Sequence, residues 1–321
     1  MKNYSNIQKF LHDLVLNKKF INKSLFELEK IIYLKNKNIK NQPHLFVTSL
    51  PRSGTTSILN FIYSSNHYAS LTYKNMPFIL SPNFSKLFNK KNVSTKERLH
   101  GDGITFGINS PEAFDEIFFN NNEEFIKSEL INYIQLILLS EKKDKYLSKN
   151  NLNFKRIDFI SSILPNSIFL IPIREPLQHA YSLLKQHLHF SKLQKKDDFI
   201  KRYMNYLGHN EFGLNHKSWN NPIIFKDLND INYWLEQWYL FYSNILQNYQ
   251  SYDNCFFIIY EKLTNPSYVK KLLEKINLIH TKNLDLNYFK NSNKKEININ
   301  YSKNIYDKAK YLFQNFNLNF S

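Results

Sequence analysis

A short apolar run that breaks at a hydroxyl-rich turn and restarts as a helix commits this chain to a βα unit. His44-Leu45-Phe46-Val47-Thr48-Ser49 reads as a strand, Leu50-Pro51-Arg52-Ser53-Gly54-Thr55-Thr56 as the turn, and Ser57 to Ser64 as the helix. The order recurs at Ser167 to Ile173, followed by Arg174-Glu175-Pro176 and a helix from Leu177 toward Phe190, where Pro176 suits the first helical turn. Further strands are predicted at Lys145 to Lys149 and Cys255 to Tyr260. Helices are predicted at Pro111 to Phe119, Glu123 to Glu141, Phe154 to Leu164, Ile231 to Tyr249, Ser267 to Ile276 and Ile305 to Phe316. Strands that alternate with helices and are apolar throughout imply an α/β fold, a central parallel β-sheet flanked by helices on both faces. No Gly/Ser/Pro linker divides the 321 residues, so we expect a single domain over 1–321. Its parts are an N-terminal helical cap over 1–40, with Ile7, Phe10, Leu11 and Leu14 at helical spacing, a core over 44–275 and a C-terminal extension over 280–321.

The chain has only six glycines, where roughly 7% is ordinary, and they fall in three places. Gly54 is in the first turn; Gly101, Gly103 and Gly107 follow His100 around Asp102; Gly208 and Gly213 bracket His209 and Glu211. Each segment alone reads as an ordinary turn, and all three together as loops gathered around a site. A net charge of +16 favours phosphates, sulfates or polyanions as partners. The apolar share of 42% excludes a disordered tail, and no run reaches the ~18 apolar residues of a membrane span. The N-terminus lacks the apolar stretch of a signal peptide, so we expect a cytoplasmic protein without a transmembrane segment. Lys, Asn and Ile abound along the whole chain, a bias that argues against a dedicated nucleic-acid surface, and no nucleic-acid partner is expected. The single cysteine, Cys255, excludes an internal disulfide and reads as part of a buried strand.

Set against the NTP-binding pattern G-x-x-x-x-G-K-[ST], the first turn has Ser49 in place of the first glycine and Thr55 in place of the lysine. Backbone amides and the start of the following helix still favour an anion, the hydroxyls of Ser53, Thr55 and Thr56 add donors, and Arg52 supplies the cation. The second apolar strand ends in Arg174 rather than in an acid that would hold Mg²⁺. His187-x-His189 invites a metal reading, but residues two apart do not share a helical face. No metal is expected.

Leu50-Pro51-Arg52-Ser53-Gly54-Thr55-Thr56 resembles the 5′-phosphosulfate loop of sulfotransferases that use 3′-phosphoadenosine 5′-phosphosulfate (PAPS). Ile171-Pro172-Ile173-Arg174-Glu175-Pro176, with Ser182 eight residues beyond Arg174, is similar to that family's 3′-phosphate site. Pro165-Asn166-Ser167 and Tyr260-Glu261-Lys262-Leu263 resemble weaker segments found before and after it. The resemblance implies a P-loop-like sulfotransferase architecture with PAPS as donor. Its binding residues are then Pro51, Arg52, Ser53, Gly54, Thr55, Thr56, Arg174 and Ser182. The spacing agrees: a strand-end arginine and a serine about 9 Å along the next helix, at ~1.5 Å per residue, reach one phosphate from two sides. For Arg174 an ion pair with Glu175 is the alternative, and for Ser182 simple packing against the sheet.

Sulfuryl transfer needs in-line positioning and cations on the departing 5′-phosphate oxygen, which the resemblance assigns to Arg52. Lys149 is a second candidate cation, where many relatives carry Lys-x-Pro; here Asn151 stands in place of the proline, and a solvated lysine is the alternative. A hydroxyl acceptor must lose a proton. Tyrosylprotein sulfotransferases carry a glutamate after the helix of the phosphate loop, but Ser70 to Asn75 contains no acid. His100 and Asp102 are the first candidates, as base and orienter or with Asp102 capping a turn, and His209 and Glu211 the second. Phe106, Phe212 and Trp219 are candidates for an acceptor platform or for core. The family's lysine- and glycine-rich nucleotide clamp is not evident after residue 280, so other groups must close that side. The expected activity is sulfuryl transfer to a hydroxyl of a carbohydrate, lipid-linked glycan or small metabolite. The alternatives are a P-loop kinase or nucleotidase using ATP, and a non-enzymatic polyanion binder.

Overall fold

In the computed structural model, which describes residues 6–34, 38–87, 96–97, 105–281, 283–290 and 296–319, the strand of the first βα unit lies at the centre of the sheet. This strand is β1 (Leu45–Val47). It is followed by β2 (Tyr68–Ala69), an antiparallel ribbon of β3 (Lys96–Glu97) and β4 (Thr105–Phe106), and then β5 (Lys145–Lys149), β6 (Ile168–Ile173) and β7 (Cys255–Ile259). β1 pairs in parallel with β5, Val47 opposite Lys149, and with β6, Leu45 opposite Ile168. β2 adds beyond β5 and β7 beyond β6, so the order is β2-β5-β1-β6-β7 with every strand parallel. The two-residue β2 is too short to leave a pattern in the sequence.

The helices are α1 (Asn6–Asn17), α2 (Lys19–Tyr33), α3 (Thr55–Tyr63), α4 (Glu116–Phe119), α5 (Glu123–Glu141), α6 (Ile157–Ile163), α7 (Pro176–Lys196), α8 (Asp198–Tyr206), α9 (Ile231–Tyr249), α10 (Pro266–Lys275) and α11 (Lys303–Asn319). Two of these differ from the sequence expectation. The helix expected over Pro111 to Phe119 forms only in its last four residues, because Pro111 instead bridges to Thr72 and Glu112 donates its amide to the Leu71 carbonyl. The unexpected α8 starts where Asp197 caps the Phe199 amide at the end of α7.

Alternation along β1 splits the core between the two faces of the sheet. Leu45 and Val47 join Leu170 and Ile258 against Ile58 and Leu59 of α3 and Val269 and Leu272 of α10. Phe46, stacked on Phe169 at 5.4 Å, joins Ile171 and Phe257 against α5, α7, α9 and α11. Each such side chain contributes ~1.5–3 kcal/mol when fully buried. Helix α11 lies within the segment read as an extension, yet it packs on α9 and α7 and buries Ala309 and Phe316 completely. No helix among the described residues is long and apolar enough to cross a membrane.

From β1 the chain runs through α3 to one side of the sheet, and from the neighbouring β6 through α7 to the other. Adjacent strands whose exits diverge leave a crevice at their C-terminal ends, the usual ligand position in open parallel sheets. The two motif-bearing turns, at 48–54 and 174–175, border that crevice.

His44, fully buried ahead of β1, donates from Nε2 to the Ile39 carbonyl at 3.0 Å and accepts at Nδ1 from the Tyr146 amide at 3.0 Å. Burial lowers its pKa from 6.5 to about 4. The unfolded chain therefore takes up a proton at His44 that the folded chain refuses, so this contribution to stability is complete above pH 6.5 and lost as pH falls to 4. Denaturant titrations of H44Q across this range should show a shallower pH dependence than the parent. The variant should also cost roughly 1–3 kcal/mol at pH 7, because the buried Tyr146 amide loses its acceptor.

Candidate active site

The first turn holds its carbonyls to the protein. The Ser53 hydroxyl donates to the Leu50 carbonyl at 2.7 Å, His179 Nε2 to that of Pro51 at 2.8 Å, and Arg174 Nη1 to that of Arg52 at 3.2 Å. Ser49 and Tyr242 hydroxyls meet each other and the Pro172 carbonyl of β6. Arg52 takes the left-handed φ of 72° and Gly54 one of 102° before α3 begins at Thr55. The first amides of α3 lack intrahelical acceptors, as at any helix start, and form a donor set for an anion. Pro51, Thr55 and Thr56 are buried in the turn. Ser53 corrects the expectation that its hydroxyl faces the anion: it is fully buried and bound to Leu50, because the turn needs it to close.

The second turn abuts the first. Arg174 directly follows β6, and Glu175 caps α7 by accepting from the Gln178 amide at 2.7 Å. Glu175 also accepts from Tyr306 of α11, and its own amide donates to Glu261 at 2.9 Å. Its carboxylate is thus committed to the cap, and the Arg174 guanidinium goes instead to the Arg52 carbonyl. Arg52 Nε in turn donates to Ser182 Oγ at 3.3 Å. The structure therefore brings Arg52, Arg174 and Ser182 into direct contact. Burial lowers the His179 pKa to about 3, aided by the charges of Arg174 and Arg52, so the ring is neutral. The Tyr260 ring covers Gly54 and lies 5.7 Å from the Arg174 guanidinium. Tyr260, Glu261 and Tyr306 thus pack around the two turns.

Beyond β1, Lys149 at the end of β5 is buried, 9% exposed, with Nζ 3.6 Å from Glu112 Oε1. This excludes the reading of a solvated lysine. Glu112 also accepts from the Ala113 amide and the Tyr73 hydroxyl. Two further carboxylates of the same segment dock beside it. Asp115, fully buried, accepts from the hydroxyls of Tyr133, Tyr146 and Ser148, and Glu116 binds Arg156 through both oxygens and Asn150 at 2.8 Å. Burial raises the Asp115 pKa against the pull of these hydroxyl donors. Sequence reasoning missed Glu112; the signal was the acid spacing Glu112, Asp115, Glu116 at the start of a stretch read as one helix.

The loop after α8 completes this side. Gly208, with φ of 70°, lies so close to Glu116 that a Cβ would sit 2.5 Å from its Cγ. Glu211 accepts from Asn151 at 3.3 Å and sits 3.5 Å from His209 Nδ1. Burial raises the Glu211 pKa, but the interactions with His209, and more distantly Lys149, outweigh it and hold the carboxyl at about 2. His216 fixes the loop from behind, between the Glu211 carbonyl and the Tyr233 hydroxyl, both at 2.7 Å. Phe212 and Trp219 are buried against Trp234, so they are core rather than platform, while Phe106 packs on Tyr73 at 4.5 Å. Hence Lys149, His209 and Glu211 come together with Glu112; His100 and Asp102 lie outside the described residues.

A Cβ at Gly54 would fall 2.2 Å from a Tyr260 ring carbon, in addition to the strained φ. G54A should therefore lose more than the roughly 1–3 kcal/mol of backbone strain alone, and G54A/Y260A should recover the steric part in thermal denaturation. A double variant no more stable than G54A would show that the ring is not what excludes the methyl group.

The sequence matches the model of the sulfotransferase family over residues 43–210, more than half of the chain, a span that contains β1, β5, β6 and both turns. No curated protein sequence matches the chain. Among solved structures it is similar to sulfotransferase STF1 from Mycobacterium tuberculosis H37Rv, with a TM-score of 0.51 and 11% identity over 97% of this chain and 86% of that one. It is also similar to sulfotransferase STF9 from Mycobacterium avium, with a TM-score of 0.44 and 10% identity over 95% of this chain and 75% of that one. The likeness to STF1 concerns the fold, and the family match covers the two turns that meet at the crevice: the chain belongs to the sulfotransferase family.

Proposed function

We propose that the chain transfers a sulfuryl group from PAPS to a hydroxyl-bearing acceptor. The observation that carries this reading is the contact between the two turns, Arg174 on the Arg52 carbonyl and Arg52 on Ser182, which supports one nucleotide spanning both. In this reading the amides of residues 54–56 and the side chain of Arg52 hold the 5′-phosphosulfate, and Arg174 with Ser182 holds the 3′-phosphate.

Transfer forms a bond from the acceptor oxygen to sulfur and breaks the bond from sulfur to the 5′-phosphate oxygen. The acceptor proton passes to a base, and adenosine 3′,5′-bisphosphate leaves. Arg52 and Lys149 are the cations that stabilise charge on the departing phosphate oxygen. His209 is the base, with Glu211 as its orienter: the carboxylate 3.5 Å from Nδ1 steadies an imidazole that gains a proton. His100 and Asp102 are the alternative pair, and H209A against H100A separates the two, since only loss of the true base lowers kcat while leaving donor affinity near normal.

Thermal shift with adenosine 3′,5′-bisphosphate should stabilise the protein, and ATP with Mg²⁺ should not. Stabilisation by ATP with Mg²⁺ alone would overturn the donor assignment. R52A should lower turnover by about 10²–10³-fold, the usual loss for one stabilising donor. R174A should mainly weaken donor binding, by roughly 10–100-fold, as expected for a charged hydrogen bond. Equal affinity of the parent protein for nucleotides with and without the 3′-phosphate would contradict this division of roles.

A further inference from the structure

The imidazole of His179 lies wholly inside the protein on the first turns of α7, and no step of the proposed transfer uses it. A carbonyl oxygen only accepts, so Nε2, 2.8 Å from the Pro51 carbonyl, carries the proton. Nδ1 is buried and has no hydrogen-bond partner among the described residues. The ring also sits beside two arginines, Arg52 and Arg174, and 6.3 Å from the Tyr242 ring. As packing this is a poor choice, since an apolar side chain of similar volume would fill the space without an orphaned nitrogen. What the imidazole supplies is one N–H at one point, the peptide that joins Pro51 to Arg52.

That peptide is the vulnerable one in the turn. The Leu50 carbonyl is tied within the turn by Ser53 and the Arg52 carbonyl by Arg174. The Pro51 carbonyl is tied from α7 by His179, immediately before a non-glycine residue at φ of 72°. Rotating the Pro51–Arg52 peptide changes ψ of Pro51 and φ of Arg52 together, so a released carbonyl lets Arg52 relax out of the left-handed region. The Arg52 side chain and the amides that follow would then turn with it.

We propose that His179 is a positioning residue, whose Nε2–H fixes the Pro51–Arg52 peptide and thereby aims the Arg52 side chain and the following amides at the bound anion. The proposal rests on the sulfuryl-transfer reading for the identity of that anion but not for the geometry of the turn.

The test exploits side-chain reach. Glutamine carries its amide nitrogen as many bonds from Cα as His Nε2, asparagine carries its own one bond short, and methionine carries no donor. Two readouts are compared for H179Q, H179N and H179M: hydrogen exchange of the peptide spanning residues 45–58 without ligand, and the Kd for adenosine 3′,5′-bisphosphate. H179Q should stay within about threefold of the parent in both. H179N and H179M should exchange at least tenfold faster in this peptide and bind at least tenfold more weakly, with H179N melting no lower than H179Q. Equal exchange in H179Q and H179N would overturn the proposal, as would parental exchange in H179M. If the parent protein fails to bind the nucleotide, the donor reading falls and the exchange comparison still decides the role of His179.

Discussion

Everything at the crevice follows from where the carbonyl groups of Leu50, Pro51 and Arg52 point. A backbone anion site works only when amides face the ligand and carbonyls face away. Here each carbonyl is drawn inward by a donor from a different place: the turn itself, helix α7, and the end of β6. Net contributions of about 1 kcal/mol per bond, and more from the charged one, are of the size needed to offset the roughly 1–3 kcal/mol of a left-handed Arg52. The turn is therefore not a local structure. It acquires its shape only when β6 and α7 have docked, so the fold and the candidate anion site form together.

The opposite side of the crevice is made of carboxylates. Glu112, Asp115 and Glu116 meet Lys149 and Ser148 at the end of β5 and Asn150 just past it. Buried acids are tolerated only when their oxygens are occupied, and each of these has two or more donors. Gly208 then leans on Glu116, which brings His209 and Glu211 to Lys149. In a chain of net charge +16 the side at the two turns is thus arginine and amide, and the side at the end of β5 is acid paired with Lys149 and Arg156.

The sequence was most informative where one short segment contains its own explanation. The strand, turn and helix around Gly54 were legible because an apolar run, a glycine and a helical period sit side by side, and the second strand, turn and helix around Arg174 because an apolar run meets a proline at the first helical turn. Glu112 was not legible: its role depends on Lys149, far away in sequence, and on the failure of a nine-residue helix whose first residues pair with 71 and 72 instead. His179 was hidden for the same reason, as its partner is a carbonyl on another element. Ser53 was misassigned because nothing in a hydroxyl's position along the chain tells whether it faces a ligand or its own turn. Phe212 and Trp219 were ambiguous because aromatic residues serve equally in cores and platforms.

The hydrogen bond from Arg174 to the Arg52 carbonyl makes one side chain responsible for atoms on both turns. Changes at 52, 174, 179 and 182 will consequently fail to add, because each alters the starting geometry felt by the others. Drift at this crevice is epistatic: a descendant that loses one of the four inherits a background in which the rest are worth something different, and the group is retained, or rebuilt, as a set.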